Sequence, residues 1–236
     1  MNTSANLPFS TAAERNKEAI GDVLAYYLQV ADTVLEIGSG SGQHAVYLCD
    51  RFDHLTWQMS EKNAHVQALS QVVAHTDSDQ LPDPVVLEVG SAAKAISADS
   101  SDSGSLDGGL SGAGSSIEGT NATGLPFKES AYSLVFSANT AHIMDIEEVA
   151  FMFEVVSYAL QPKGFFALYG PFKINGEHTS DSNRNFDTTL RRHQPYRGIR
   201  DKDELDAMAS DNGMRFEAEI IMPANNRTLL WRTAEF

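Results

Sequence analysis

Three glycines spaced two residues apart, Gly38, Gly40 and Gly42, follow a short apolar run (Val34, Leu35, Ile37) and precede Ala45, Leu48, Cys49 and Phe52 on one helical stripe. Strand, tight turn and helix start in that order make a site at the strand's carboxyl end, where α/β proteins bind nucleotide-like ligands. The loop reads Glu36-x-Gly38-x-Gly40-x-Gly42, with Ser39 between the first two glycines, and Gln43 stands where the dinucleotide fingerprint needs glycine or alanine. That substitution weighs against nicotinamide binding. Glu36 is a carboxylate inside an otherwise apolar strand and must find partners, because burying a lone charge is costly. A carboxylate, three close glycines and no phosphate-binding lysine suit a ligand with a cationic or amine-bearing group and no pyrophosphate. S-adenosyl-L-methionine has both an amino acid end and a sulfonium.

Nineteen residues beyond Gly42, at the end of a second β-prone run, lies Glu61. A carboxylate there can accept hydrogen bonds from both ribose hydroxyls of an adenosine. Near the end of a third apolar run, Gly90 and Ser91 would pass the adenine edge, whereas Glu88 reads as internal or solvated. Candidates on the acceptor side are less sharply marked. His142 has the chemistry of a general base, or is a structural histidine beside Ile143 and Met144. Tyr169, Lys173, Asn175, His178 and Arg184 fall on a stretch that would cap the site. Asn226 and Arg227 read as turn chemistry. The seven histidines show no paired metal-ligand spacing, so no metal is expected. Cys49, alone of its kind, sits on an apolar stripe and reads as a buried small hydrophobe; no internal disulfide is possible.

The elements that must hold these residues alternate along the chain. Ile20, Val23, Leu24, Tyr27 and Leu28 form one face of a helix over 11–30, and the polar run from Ala12 to Asn16 is an exposed helix start or a flap over the glycine loop. Strands are expected over 54–58, 84–91, 132–139 and 165–170, with helices after the first and third of these, the latter on Val149, Met152, Phe153, Val156 and Leu160. The valine-rich 84–91 suits a strand buried on both faces. Residues 171–201 form a long polar loop anchored by Phe172, Phe186, Leu190, Tyr196 and Ile199. A helix capped by Asp201 or Asp203 then runs to Asn212, and two final strands flank a turn at Asn225 and Asn226. The result is an α/β fold with a mixed sheet.

With 236 residues, 42% of them hydrophobic, the chain suits a single domain. A Ser/Gly/Asp-rich insertion at 92–124 lacks the apolar side chains to offset ordering entropy and reads as flexible. Thirty-two acidic against 17 basic residues, net charge -15, repel a phosphate backbone and make nucleic acid an unexpected partner. The N-terminus has no basic region followed by a long apolar run, and no stretch of about 18 apolar residues occurs. A soluble cytoplasmic protein without a membrane partner is expected; the sequence leaves its oligomeric state open.

The segments LPFSTAAERNKEAI, VLEIGSGSGQHAVYL, HLTWQMSE, FSANTAHIMD, YGPFKINGEHTSDSNRNFD, GIRDKDELDAMA and MPANNRTLLWR resemble the methyltransferase-like protein 26 family over nearly the whole chain outside 92–124. The resemblance implies a Rossmann-like class I methyltransferase fold, a seven-stranded sheet of order 3-2-1-4-5-7-6 with helices on both faces, and S-adenosyl-L-methionine as ligand. It also implies that Glu36, Gly38, Gly40 and Gly42 wrap the methionine and ribose, that Glu61 meets the ribose hydroxyls, and that Asn139 lines the site. Two features depart from the family pattern: Glu61, where Asp is more usual, and the insertion, which replaces a short connection. The Asn/Asp-Pro-Pro-aromatic sequence of adenine methyltransferases is absent after Ala138. The leading expectation is a methyltransferase acting on a small molecule. A non-catalytic S-adenosyl-L-methionine-binding protein acting through a protein partner is the alternative, and a nicotinamide-dependent oxidoreductase ranks third.

Overall fold

Apolar residues alternate between two faces along every long strand, and each face collects its own helices. In the computed structural model, which describes residues 7–89 and 124–235, the elements are α1 (Thr11–Leu28), β1 (Thr33–Ile37), α2 (Gln43–Arg51), β2 (Thr56–Glu61), α3 (Asn63–Thr76), β3 (Val85–Val86) and β4 (Tyr132–Ala138). They continue with α4 (Ile146–Ala159), β5 (Leu160–Gly170), β6 (Phe172–Ile174), β7 (Glu177–His178), α5 (Asp181–His193), β8 (Arg200–Asp201), α6 (Lys202–Asp211), β9 (Met214–Met222) and β10 (Asn226–Thr233). Ser91 and the insertion expected at 92–124, Gly124 excepted, lie outside the described residues.

The main sheet has seven strands in the order β3-β2-β1-β4-β5-β10-β9. Counting only this sheet's strands, that is the expected order 3-2-1-4-5-7-6. β1 runs parallel to β2 and β4, while β10 is antiparallel to β5 and β9, so the sheet is mixed. Val34, Trp57, Leu134, Phe136, Ala167 and Leu230 pack under α1, α2 and α3 through Ile20, Leu24, Leu48 and Leu69. Leu35, Ile37, Val135, Phe166, Leu168 and Trp231 pack against α4 and α6 through Met152, Phe153, Val156 and Leu205. This two-sided burial is why the central strands read as nearly continuous apolar runs. β1 and β4 lie adjacent at the centre, and their carboxyl ends open on one edge of the molecule.

Several boundaries differ from the sequence reading. The third strand pairs only at Val85–Val86, although Leu87 and Val89 beyond it are buried. α4 begins earlier than its apolar face, at Ile146, because Asp145 and Glu148 form a reciprocal capping box. Residues 171–201 are not a plain loop: β7-β6-β8 form a small second sheet, and α5 packs beside it. Strands of two or three residues are too short to show alternation, and α5, which buries Asn183, Asp187 and Leu190, has too few apolar residues to stand out from a polar loop. Phe172, Leu190 and Ile199 anchor this region as expected, but Phe186 and Tyr196 remain exposed. The last hairpin turns through Ala224 and Asn225, both with positive φ, and Asn226 already belongs to β10.

Candidate functional site

The glycine loop leaves β1 with all three glycines in the left-handed region, at φ of 72° for Gly38, 57° for Gly40 and 72° for Gly42. Two of them are needed for packing. A Cβ on Gly38 would lie 2.7 Å from Thr140 Cγ2, and one on Gly42 would press on Met59, Leu69 and Val72. Gly40 differs, since nothing lies within 4 Å of where its Cβ would be, so open space faces the middle of the loop. Beneath it, the Ser39 hydroxyl donates to the Glu36 carbonyl and accepts from Ser60 N–H, and Ser60 also donates to the Glu36 carbonyl. These bonds hold Ser39 inward. At the rim, Glu61 accepts from Gly40 N–H at 3.0 Å and from Lys62 N–H at 2.8 Å, so its carboxylate sits beside the open centre of the loop.

Glu36 has the partners that its burial requires. It is 1% exposed; its Oε2 accepts from the Trp57 indole at 3.1 Å, and its Oε1 is 3.6 Å from His44 Nδ1. The carboxylate therefore supports the loop from below, among groups of the protein itself. His44 Nε2 continues the chain to Asn16 Oδ1 at 2.8 Å. Asn16 lies close to the Tyr169 hydroxyl, which accepts from Asn226 Nδ2 at 2.9 Å. A succession of polar side chains thus runs from under the glycine loop to the ends of β5 and β10.

α1 is what bridges the two ends. Ser10 caps it, and Ser10 N–H donates to Gln43 Oε1, while Gln43 Nε2 donates to Glu14. The residue that breaks the dinucleotide fingerprint is thus the one that ties the start of α1 to the loop. On another stripe of α1, Ala12, Arg15, Asn16 and Ala19, at helical spacing, line a cavity of about 700 Å³. Asn139 and Tyr169 come to its wall from the ends of β4 and β5. Asn183 and Phe186 come from α5, and Pro223 to Asn226 from the final turn. Asn139 has φ of 60°, and its N–H donates to the Tyr169 carbonyl at 2.8 Å. Thr140, next in the chain, is the residue against Gly38. One turn therefore separates the glycine loop from the cavity.

The remaining candidates divide plainly. Tyr169 is on the cavity wall and 3% exposed as a residue; burial pushes its hydroxyl above its usual pKa. His142 does not line the cavity. It lies behind Phe186, ring centroids 5.2 Å apart, and burial together with Arg200 and Arg197 holds its pKa down at about 4. So weak a base is neutral near pH 7 and takes up protons poorly, which counts against the general-base role. Lys173 lines a different cavity with Arg191, Arg200 and Glu204. His178 faces Asp187 at 3.7 Å, which in turn holds Ile199 N–H and Arg191. Asn175 and Gly176, both with positive φ, form the turn between β6 and β7; Arg184 projects near Asp181 on the surface of α5, and Arg227 pairs with Glu219 across the last hairpin. Arg15 and Asn16 come from the polar run that reads as a helix start or a flap, and Phe186 from the residues that read as anchors, whereas the sequence does not single out Asn183. The loop after β4 is itself clasped from outside: buried Arg200 donates to the carbonyls of Ala141, Met144 and Tyr196, and Gly198 N–H donates to His142 O.

A family model described as "Protein of unknown function (DUF938)" matches residues 7–233. Among solved structures, the chain is similar to an O-methyltransferase family protein from Burkholderia thailandensis, with a TM-score of 0.69 at 14% identity, over 95% of this chain and 58% of that one. It is similar to human N-acetylserotonin methyltransferase in complex with SAM, with a TM-score of 0.65 at 12% identity, over 94% of this chain and 53% of that one. A mitomycin 7-O-methyltransferase matches with a TM-score of 0.62 at 16% identity, over 94% of this chain and 57% of that one. The chain spans little more than half the length of these proteins, and at such identities the likeness is one of fold.

Proposed function

Because the chain belongs to the DUF938 family and is built on the Rossmann-like methyltransferase fold, we propose that it transfers a methyl group from S-adenosyl-L-methionine to a small-molecule acceptor. The observation that carries this reading is the adjacency of two sites. An open glycine loop with Glu61 at its rim lies one turn, Asn139–Thr140, from an amide-lined cavity. The residues fit the donor: the space over Gly40 admits a ligand close to the backbone, and Glu61 can accept from ribose hydroxyls. Gly38, Gly40 and Gly42 give the loop its shape, with Glu36 and Ser39 bracing it from beneath. Asn139 stands between donor and acceptor. The solved structure of N-acetylserotonin methyltransferase holds SAM on the same fold, and the sequence resembles the methyltransferase-like protein 26 family.

When bound, the donor supplies a methyl group already activated by its sulfonium, so what this chain must do is align the acceptor and exclude water. Fixed walls serve both ends. Asn183 donates to Thr179 Oγ1 and the Asn225 carbonyl, and Asn225 to Ser182, which sets the far side of the cavity. Calorimetry with S-adenosyl-L-methionine and with NAD(H), followed by methyl-labelled donor offered with a metabolite extract, tests the reading. Donor binding and label in small molecules are expected. Tight NAD(H) binding without donor binding would overturn it, and donor binding without any transfer would favour a binding protein that acts through a partner.

A further inference from the structure

The cavity beside Asn139 has an unusual balance of groups for so acidic a chain. Its wall carries five amides (Asn16, Asn139, Asn183, Asn225, Asn226) and one formal charge, that of Arg15 at the mouth. None of its described lining residues has a carboxylate or an imidazole, in a protein of net charge -15. The floor is more specific still. Asn226 Nδ2 donates to the Tyr169 oxygen, while Asn16, its Oδ1 engaged by His44 Nε2, lies close by on the same wall. With its oxygen accepting from Asn226, the hydroxyl has its hydrogen to offer to a bound molecule. Burial keeps that hydrogen in place by raising the hydroxyl's pKa.

We propose, on the premise that the chain is a methyltransferase, that this cavity takes a small carboxylate, held by the Tyr169 hydroxyl and Arg15, and that the methyl group goes to its oxygen. The argument is one of protons. An amine arrives as an ammonium and an alcohol or phenol arrives protonated, with a pKa of about 10 or above, so each must lose a proton before it attacks. The described lining has nothing to take that proton, and an ammonium would also face the guanidinium of Arg15. A carboxylate arrives as the nucleophile. One of its oxygens forms the new bond to the methyl carbon as the carbon–sulfur bond breaks, the electron pair stays on sulfur, and a neutral ester and a neutral thioether result with no proton moved. Donors at the floor and a cation at the mouth are what an anion requires, and loss of the charge on esterification weakens both contacts and favours release.

The test separates this inference from its premise. Calorimetry of S-adenosyl-L-methionine with the wild type, Arg15→Gln and Tyr169→Phe comes first: equal donor binding in all three is expected, and its absence in the wild type removes the premise. With S-adenosylhomocysteine present, benzoate, phenylacetate, malate and citrate are then titrated beside their primary amides. Carboxylates should bind about tenfold tighter than the amides, the worth of one charge-assisted contact, and Arg15→Gln should abolish the difference. Methyl-labelled donor with a metabolite extract should yield label that alkali releases as methanol. Alkali-stable label, no transfer despite bound donor, or no carboxylate preference overturns the carboxylate reading while leaving donor binding standing.

Discussion

Gly40→Ala is the sharpest probe of the glycine loop, because the structure supplies its control. Gly40 and Gly213 both have left-handed φ, at 57° and 70°, and neither would bring a Cβ within 4 Å of another atom. Alanine at either position therefore costs the same kind of backbone strain, about 1–2 kcal/mol, without overpacking. For a domain of this size each kcal/mol lowers the melting temperature by about 2–4 °C. The positions differ in what the empty space is for. Gly213 follows the end of α6, far along the chain from the site, whereas a methyl at Gly40 would fill the room proposed for the donor and shift the N–H that Glu61 accepts. Urea unfolding should thus show matched losses for the two variants. Calorimetry should show unchanged donor affinity in Gly213→Ala and a fall of at least about tenfold in Gly40→Ala, roughly 1.4 kcal/mol. Equal donor affinities in the two variants would refute the placement of the ligand over Gly40.

Two further outcomes can be measured. His142 has a native pKa of about 4 against an ordinary 6.5, lowered by burial first and then by Arg200 and Arg197. Below pH 6.5 the unfolded chain binds a proton that the native state refuses, so this histidine destabilises the fold as pH falls from 6.5 toward 4, by on the order of 2 kcal/mol at about pH 5. Urea titrations near neutrality and at about pH 5 should show a smaller acid loss in His142→Gln than in the wild type; parallel losses would mean that the ring is not buried neutral. Asp145→Ala removes the capping box at the start of α4 and should cost about 1 kcal/mol of stability with donor affinity unchanged. A change in donor affinity there would show that the cap also sets the loop after β4.

The legible parts of the site are those whose chemistry is local. Glu36, the three glycines and Glu61 are separated by short, regular intervals on two consecutive strand ends, so register alone brings them together: Glu36 pairs with Met59 and Ile37 with Ser60. The burial cost of Glu36 even called for partners, and Trp57 and His44 supply them from the neighbouring strand and helix. The acceptor cavity has no such regularity. Asn16 and Asn226 reach one cavity wall from opposite ends of the chain, and amide side chains have no diagnostic spacing. Residues 171–201 hid their order for a related reason, since short strands and a polar helix are held there by Asp187, Arg200 and Gly198 instead of an apolar stripe.

The same contrast bears on how the two sites act together. Hydrogen bonds join Trp57 to Glu36, His44 to Asn16 and Asn226 to Tyr169, and these three pairs follow one another from beneath the glycine loop to the cavity floor. Inside a protein each buried polar group is costly when left without a partner, so no member can rotate away without leaving its neighbour unsatisfied. The buried carboxylate in the first strand, read from the sequence as a ligand for the donor, thus also has neighbours of the protein's own, Trp57 and His44, that hold it beneath the loop.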